Sequence, residues 1–194
     1  GMAMYRTKLF VQGHGSKVHL ISNNCGANCN EGGGLTALNS YICALDGGLI
    51  DISNNVASVG KGGGVVLYGP SVIWSRGEKS NIAINGNYAK DCGGGLYTVA
   101  GPSKIMVTGG AVMTFEGNRA GDTGGGLFLQ LKSSFRSDSK SSVFFKKNSA
   151  KKDGGGIASI GGSVVHLSGN SRFEKNIAER GVGYVPPNSC LSSI

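Results

Sequence analysis

Short apolar stretches with the composition of β-strands recur along the whole chain. In one part of the chain they are Val65–Tyr68, Ser71–Ser75 and Asn81–Ile84. They are rich in Val, Ile and Tyr, and turns containing Gly, Pro, Ser and Asn separate them, as expected for strands. No stretch shows sustained helical periodicity. The pattern predicts three short strands in each repeat and an all-β chain.

Two sequence marks keep the same period and define the repeat. Runs of three glycines begin 30 or 31 residues apart, at Gly32, Gly62, Gly93, Gly124 and Gly154. An asparagine that follows a large apolar residue by three positions keeps step with them: Asn24, Asn55, Asn87, Asn118, Asn148 and Asn176. Those apolar residues are Ile21, Ile52, Ile84, Phe115, Phe145 and Phe173.

Both marks have a structural explanation in a stacked repeat. Glycine occupies little space and accepts positive φ, so stacked glycine runs suit a sharp corner. Stacked asparagines bond to one another through their amides and form a ladder. The sequence therefore predicts a parallel β-solenoid of about six three-strand coils, spaced by about 4.8 Å.

The combination of Phe-x-x-Asn with Gly-Gly-x-Ile/Leu/Val resembles the repeat of the chlamydial polymorphic membrane proteins. The resemblance extends from Ile21 to Ala178, with Gly where that repeat usually has Ala and with Ile replacing Phe in the first three repeats. It implies a right-handed parallel β-helix. It also implies an autotransporter passenger domain at the bacterial outer membrane, where these proteins act as adhesins.

We expect a single β-helix domain over residues 1–194. Its coil-like repeats run from about 7 to 185, and 186–194 form a C-terminal tail or cap. Because Gly1 precedes Met2, we expect the chain to be a piece of a longer protein. No apolar run approaches the roughly 18 residues of a membrane span, so we expect no direct membrane insertion by this segment.

Five cysteines leave the disulfide pattern open. They are Cys25, Cys29, Cys43, Cys92 and Cys190. The odd number leaves at least one thiol without a partner in the same chain. Cys25 and Cys29 are the expected pair if a disulfide forms, because they are close in sequence.

The strand after each glycine corner is apolar on both faces. Alternation sends Val65 and Leu96 inward, and the outward positions on adjacent coils are then Val66, Tyr97 and Phe128, with Tyr68 and Val99 beside them. A contiguous exposed apolar stripe is typical of an interface. We therefore predict an interface at this stripe; the alternative is that a loop or the N-terminal segment covers it.

The net charge of +8 is concentrated in one repeat. Its basic residues are Lys132, Arg136, Lys140, Lys146, Lys147, Lys151 and Lys152. Such a group attracts acidic partners, so we predict binding of sulfated or carboxylated glycans or of acidic protein surfaces. The alternative is a set of solvated lysines with no ligand. Nucleic acid is not expected, because the sequence shows no stacking aromatics interleaved with these lysines.

Catalysis is not expected. Glycoside hydrolysis requires two carboxylates that face one cleft, and the only stacked acids are Asp91 and Asp122, each two residues before a glycine corner. They are a weak candidate for a shared calcium ion; the alternative is a solvent-exposed turn in which Lys152 pairs with Asp122. We predict no other metal site and no cofactor.

These observations predict a non-catalytic β-helix that is secreted or displayed on the cell surface. It would act as an adhesin or scaffold whose outward faces contact host receptors, glycans or like molecules. One alternative is a self-assembling extracellular structural protein that forms filaments or a matrix. The other is a carbohydrate-active β-helix enzyme.

Overall fold

The computed structural model describes residues 1–26 and 31–181, together with the backbone of Tyr184–Val185. These residues form 24 β-strands, which stack as five complete turns of a solenoid and a partial sixth turn. Each complete turn contributes four strands. In the described part of the chain no helix is long and apolar enough to cross a membrane.

The first three turns have the same four-strand order. The first turn contains β1 (Met2–Tyr5), β2 (Lys8–Gln12), β3 (Lys17–Ile21) and β4 (Asn24–Cys25). The second contains β5 (Leu35–Leu38), β6 (Tyr41–Leu45), β7 (Leu49–Ser53) and β8 (Val56–Ala57). The third contains β9 (Val65–Tyr68), β10 (Val72–Arg76), β11 (Asn81–Asn85) and β12 (Tyr88–Ala89).

The later turns continue this order. The fourth turn contains β13 (Leu96–Val99), β14 (Lys104–Thr108), β15 (Val112–Glu116) and β16 (Arg119–Ala120). The fifth contains β17 (Leu127–Leu129), β18 (Ser134–Ser137), β19 (Ser142–Lys146) and β20 (Ser149–Ala150). The partial sixth contains β21 (Ile157–Ser159), β22 (Val164–His166) and β23 (Asn170–Glu174), and β24 (Tyr184–Val185) follows.

Corresponding strands of successive turns form four parallel sheets. We call them sheets A, B, C and D, after the first, second, third and fourth strand of each turn; β24 extends sheet A. The predicted all-β parallel solenoid is confirmed. The predicted three strands per coil are sheets A, B and C; the two-residue strands of sheet D are too short to leave a periodic signal in the sequence.

The interior is a continuous column of apolar side chains from sheets A, B and C. Its most regular part is the predicted aromatic row, in which Phe115 stacks on Phe145 with ring centroids 4.6 Å apart, and Phe145 stacks on Phe173 at 5.0 Å. Ile52 and Ile84 continue this row in the earlier turns and are fully buried. Identical positions in successive turns therefore pack on each other, which stabilises the repeat period.

The asparagine ladder lies at the corner between sheets C and D. Asn87 Nδ2 donates to the carbonyl oxygen of Ile52 (2.9 Å) and to Asn118 Oδ1 (3.0 Å). Asn87 Oδ1 accepts from the backbone N and the Nδ2 of Asn55. The same bonds continue through Asn148 to Asn176. These hydrogen bonds offset the cost of burying the amides.

The first turn departs from the predicted register by one residue. Leu20, not Ile21, is level with Ile52, and Asn23 rather than Asn24 donates to Asn55 Oδ1. Ile21 is exposed. The adjacent asparagines Asn23 and Asn24 leave the register of the first turn ambiguous in the sequence. The alternation of side chains along the strand decides it, because a shift of one residue would turn Ile21 inward and Leu20 outward.

Candidate functional site

The predicted interface stripe on sheet A exists as a stack but is not exposed. Tyr97 is level with Val66 on one side and with Phe128 on the other. Val66 is fully buried, and Tyr97 and Phe128 are only 2% and 5% exposed. They form a second apolar cluster with Cys92 and Ala158. The prediction of an exposed stripe was therefore wrong.

The two residues predicted beside this stripe pack against the same cluster. Tyr68 and Val99 are half-buried at the far end of their strands. They stay partly exposed and share a row with Leu38 and the exposed Tyr5, so their part in an interface stays a prediction.

The chain that enters each glycine corner covers this face. Gly93 has φ +66°, and a Cβ atom there would lie 2.8 Å from the Cβ of Tyr97. A Cβ on Gly124 would likewise lie 2.7 Å from that of Phe128. The first glycine of the corner thus lets the incoming backbone lie against the outward side of sheet A. The expected alternative, coverage by a loop, is the arrangement found.

Polar groups complete the cover over Tyr97. Lys61 Nζ lies 5.3 Å from the centroid of the Tyr97 ring, and Gln130 Nε2 donates to the Tyr97 hydroxyl (2.7 Å). Burial raises the pKa of the Tyr97 phenol, and the Lys61 ammonium partly opposes that shift. Burial also raises the pKa of the Glu31 carboxyl. Lys61 and Gln130 therefore cover the outward side of the Tyr97 ring.

The seven basic residues lie in the fifth turn and at its ends, but on different sides of it. Lys132 and Lys140 lie in the turns that flank β18, Arg136 lies on β18, Lys146 and Lys147 lie at the end of β19, and Lys151 and Lys152 precede a glycine corner. One turn of a solenoid passes round the whole circumference. The predicted polyanion site is therefore spread over several faces rather than gathered in one patch.

Three of these lysines also have carboxylate neighbours. Lys152 Nζ lies 2.8 Å from Asp122 Oδ1. Lys147 Nζ lies 3.3 Å from Glu116 Oε1, and Lys146 Nζ lies 3.9 Å from Glu174 Oε2. These ion pairs reduce the positive charge that the turn offers to a partner.

The weak calcium candidate has its carboxylate occupied by a lysine. The backbone N of Asp122 donates to the carbonyl oxygen of Asp91 (2.8 Å), so the two residues are stacked as predicted. The Asp122 carboxylate is paired with Lys152. In the described part of the chain, no three His, Cys, Asp or Glu side chains come together as they would around a metal ion.

The cysteines have different environments. Cys25 is disulfide-bonded. The predicted partner Cys29 lies outside the described residues, as does Cys190. Cys43 is a buried free thiol on the outward side of sheet B, and burial raises its pKa to about 11.

The sequence interpretation missed an open groove on the outward face of sheet B. It has a volume of about 490 Å³. We call it the sheet B groove; its lining is Lys8, Phe10, Tyr41, Cys43, Val72, Trp74, Lys104 and Met106. Phe10 is 55% exposed and Tyr41 is 44% exposed. Large apolar side chains are therefore accessible to a partner here, in contrast to the buried row Val66, Tyr97 and Phe128 of sheet A.

Cations lie against the aromatic rings of this face. Lys8 Nζ lies 5.7 Å from the centroid of the Tyr41 ring, and the guanidinium of Arg76 lies 5.3 Å from that of Trp74. Trp74 Nε1 donates to Thr108 Oγ1 (2.8 Å), which fixes the plane of the indole. The groove thus combines preset ring faces with positive charge.

Sheet B also differs from its neighbour in its acidic residues. None of its six strands contains Asp or Glu, whereas sheet C carries Asp51, Glu116 and Glu174. Basic residues occur on four sheet B strands: Lys8, Arg76, Lys104 and Arg136. The strands of sheets A and D lack acids as well, so the signal in the sequence that pointed to this face was the combination of no acids with basic residues on four of the second strands.

A comparison with protein families supports the resemblance seen in the sequence. Residues 142–160 match the Chlamydia polymorphic membrane protein repeat. The matched segment runs from β19 through the glycine corner at Gly154 to β21, so it contains both marks of the repeat. The predicted resemblance is confirmed in this segment. No curated protein and no solved structure matches the chain significantly.

Proposed function

We propose that this protein is a non-catalytic adhesin or scaffold at a bacterial surface, and that the sheet B groove is its contact surface. A β-solenoid that carries a polymorphic membrane protein repeat fits a surface-associated protein. The observation that carries the rest of the proposal is the groove itself, since it leaves aromatic side chains open to solvent on a rigid sheet.

The groove has the properties of a contact surface. Contiguous exposed apolar area is uncommon on soluble proteins unless something binds there. Phe10, Tyr41 and Trp74 lie on three successive strands, so backbone hydrogen bonds fix their spacing. The backbone that carries these rings therefore needs no rearrangement before binding, which favours affinity.

Adhesion of protein-coated beads to epithelial cell layers tests this function. The test variant is Phe10→Ser with Tyr41→Ser, which removes the two most exposed rings of the groove. The matched control is Ile21→Ser with Tyr88→Ser, two residues of similar exposure, 45% and 39%, on sheets C and D. We expect the test variant to lose bead adhesion by roughly tenfold or more, since contact aromatics often contribute over about 1 kcal/mol each.

The control variant should adhere like the unmodified protein. Equal loss in the two variants, or no adhesion by the unmodified protein, would contradict the proposal. Light scattering that rises with protein concentration, and that only the groove variant abolishes, would instead favour the self-assembling structural protein.

A further inference from the structure

We propose that the ligand of the sheet B groove is an acidic polysaccharide that lies across the strands, along the solenoid axis. This inference rests on the proposed function, because it requires sheet B to be the contact face. It assigns the glycan binding to residues of several turns, whereas the basic residues noted in the sequence belong to one repeat.

The first row of the groove places cations at the two ends of an apolar stretch. Lys8, Tyr41, Val72 and Lys104 are level with one another on four successive turns. The strand spacing of about 4.8 Å puts the two lysine positions roughly 14 Å apart. A linear ligand along the axis therefore meets a cation, a ring, an aliphatic side chain and a second cation in turn.

The second row supplies surfaces on which sugar rings can pack. Phe10, Cys43, Trp74 and Met106 are level with one another on the same four turns. The faces of aromatic rings are electron-rich, so they attract the weakly positive C–H groups on the flat side of a pyranose. Met106, which is half-buried, adds aliphatic contact with those C–H groups.

The electrostatics of the face select an acidic ligand. No carboxylate occurs on the strands of sheet B, and Arg76 and Arg136 extend the positive charge beyond the groove. The Cys43 thiol between Phe10 and Trp74 stays protonated near neutral pH, because burial raises its pKa to about 11. A groove with positive ends and a neutral floor attracts carboxylate or sulfate groups.

The spacing of the charges favours a glycan over a single-stranded nucleic acid. Nucleic acids carry a phosphate on every nucleotide and are held by continuous basic grooves with stacked aromatics. Here two lysines are separated by two uncharged positions. An aliphatic side chain such as Met106 also offers little to a flat base. A polymer with intermittent charges and ring faces fits better.

The single tryptophan provides a direct measurement, because Trp74 lies in the groove. Its fluorescence is titrated with heparin fragments, polygalacturonate, neutral dextran and a single-stranded thymidine oligonucleotide. We expect both acidic glycans to change the emission, with affinity that falls as salt is added. Dextran should have no effect, and the oligonucleotide should bind more weakly than either glycan.

Two double variants with the same change in charge locate the binding. Lys8→Gln with Lys104→Gln removes the cations of the groove, and Lys132→Gln with Lys140→Gln removes exposed lysines of the fifth turn. We expect affinity for the acidic glycans to fall roughly tenfold in the first variant, since each lost contact is worth up to about 1 kcal/mol. The second variant should stay within about twofold, because screening leaves only a weak long-range effect.

The possible failures can be told apart. Similar losses in the two variants, or a larger loss in the second, would overturn the groove as the glycan site. Tighter binding of the oligonucleotide than of both glycans would overturn the ligand class. If beads adhere through Phe10 and Tyr41 but no acidic glycan changes Trp74 fluorescence, the contact surface stands and the glycan proposal is wrong.

Discussion

Sheets A and B both place apolar side chains on their outward faces, but one row of sheet A is buried, whereas the sheet B groove holds exposed rings. On sheet A the row Val66, Tyr97 and Phe128 is buried. On sheet B, Phe10 and Tyr41 are about half exposed. Alternation along a strand tells which side chains point outward, but it does not tell whether those side chains reach solvent.

The connections that precede the two sheets explain the difference. Residues 90–95 connect β12 to β13 of sheet A, and residues 69–71 connect β9 to β10 of sheet B. The longer connection brings Cys92 and Gly93 against the outward side of sheet A. The shorter one is only a turn between two strands. The loop before a strand therefore decides whether its outer face is core or surface.

The largest expected effect comes from shortening one phenylalanine on each face. Phe128→Ala on sheet A should lower the free energy of unfolding by about 3–5 kcal/mol, as for other buried phenylalanines. Phe10→Ala on sheet B should lower it by about 0.5 kcal/mol or less, as for an exposed side chain. Urea denaturation of the two variants, followed by circular dichroism, measures both values.

Tyr97→Ala and Tyr41→Ala repeat this test with a second residue type. Tyr97 is 2% exposed and Tyr41 is 44% exposed, so Tyr97→Ala should lower the free energy of unfolding more than Tyr41→Ala does. Equal destabilisation by the two members of either pair would show that the faces do not differ in burial, and the contrast between the sheets would be lost.

A smaller effect should come from the glycine that allows the cover over sheet A. Gly93 and Gly117 have φ of +66° and +65°, so alanine is strained at both by about 1–2 kcal/mol. A Cβ at Gly93 would also lie 2.7 Å from the oxygen of Leu96 and 2.8 Å from Tyr97 Cβ, whereas at Gly117 the nearest atom is 3.9 Å away. Gly93→Ala should therefore cost about 1–3 kcal/mol more than Gly117→Ala, the usual range for overpacking.

Gly117→Ala serves as the control for the backbone strain in this comparison. The difference between the two variants, measured by urea denaturation, isolates the contact between the corner and sheet A. A difference near zero would mean that the corner can move away from Tyr97 at little cost, and that the cover is loose.

The fold could be predicted because its determinants repeat. Asn55, Asn87, Asn118 and Asn148 occupy equivalent positions in four turns, so a ladder of identical amides follows from the period alone. The register of the first turn could not be fixed in this way. Asn23 and Asn24 both fit the period there, and they are distinguished by the partial burial of Leu20 against exposed Ile21 and by the hydrogen bonds of Asn23 to Asn55.

The candidate site was missed because its residues do not repeat. Phe10, Cys43, Trp74 and Met106 occupy one row of sheet B but differ in type from turn to turn. The predicted polyanion site was a cluster in the sequence that the fold disperses. Its lysines are close in sequence, but one repeat passes round the whole solenoid, so sequence neighbours such as Arg136 and Lys147 lie on different faces.

The Cys43 thiol at the floor of the sheet B groove should react slowly in the folded protein. The pKa of Cys43 is raised from 9.0 to about 11 by burial, so near pH 7.5 its thiolate fraction should be about 100-fold below that of the unfolded chain. Alkylation by iodoacetamide, followed at Cys43 by mass spectrometry, should therefore be at least that much slower in the folded protein and should accelerate about tenfold for each unit of pH up to about 11. Phe10→Ala should speed the reaction by uncovering the thiol, whereas Tyr88→Ala on sheet D should not. A Cys43 that reacts as fast in the folded protein as in urea would mean that the groove is open to its floor, and that the two sheets differ more than their side-chain exposures indicate.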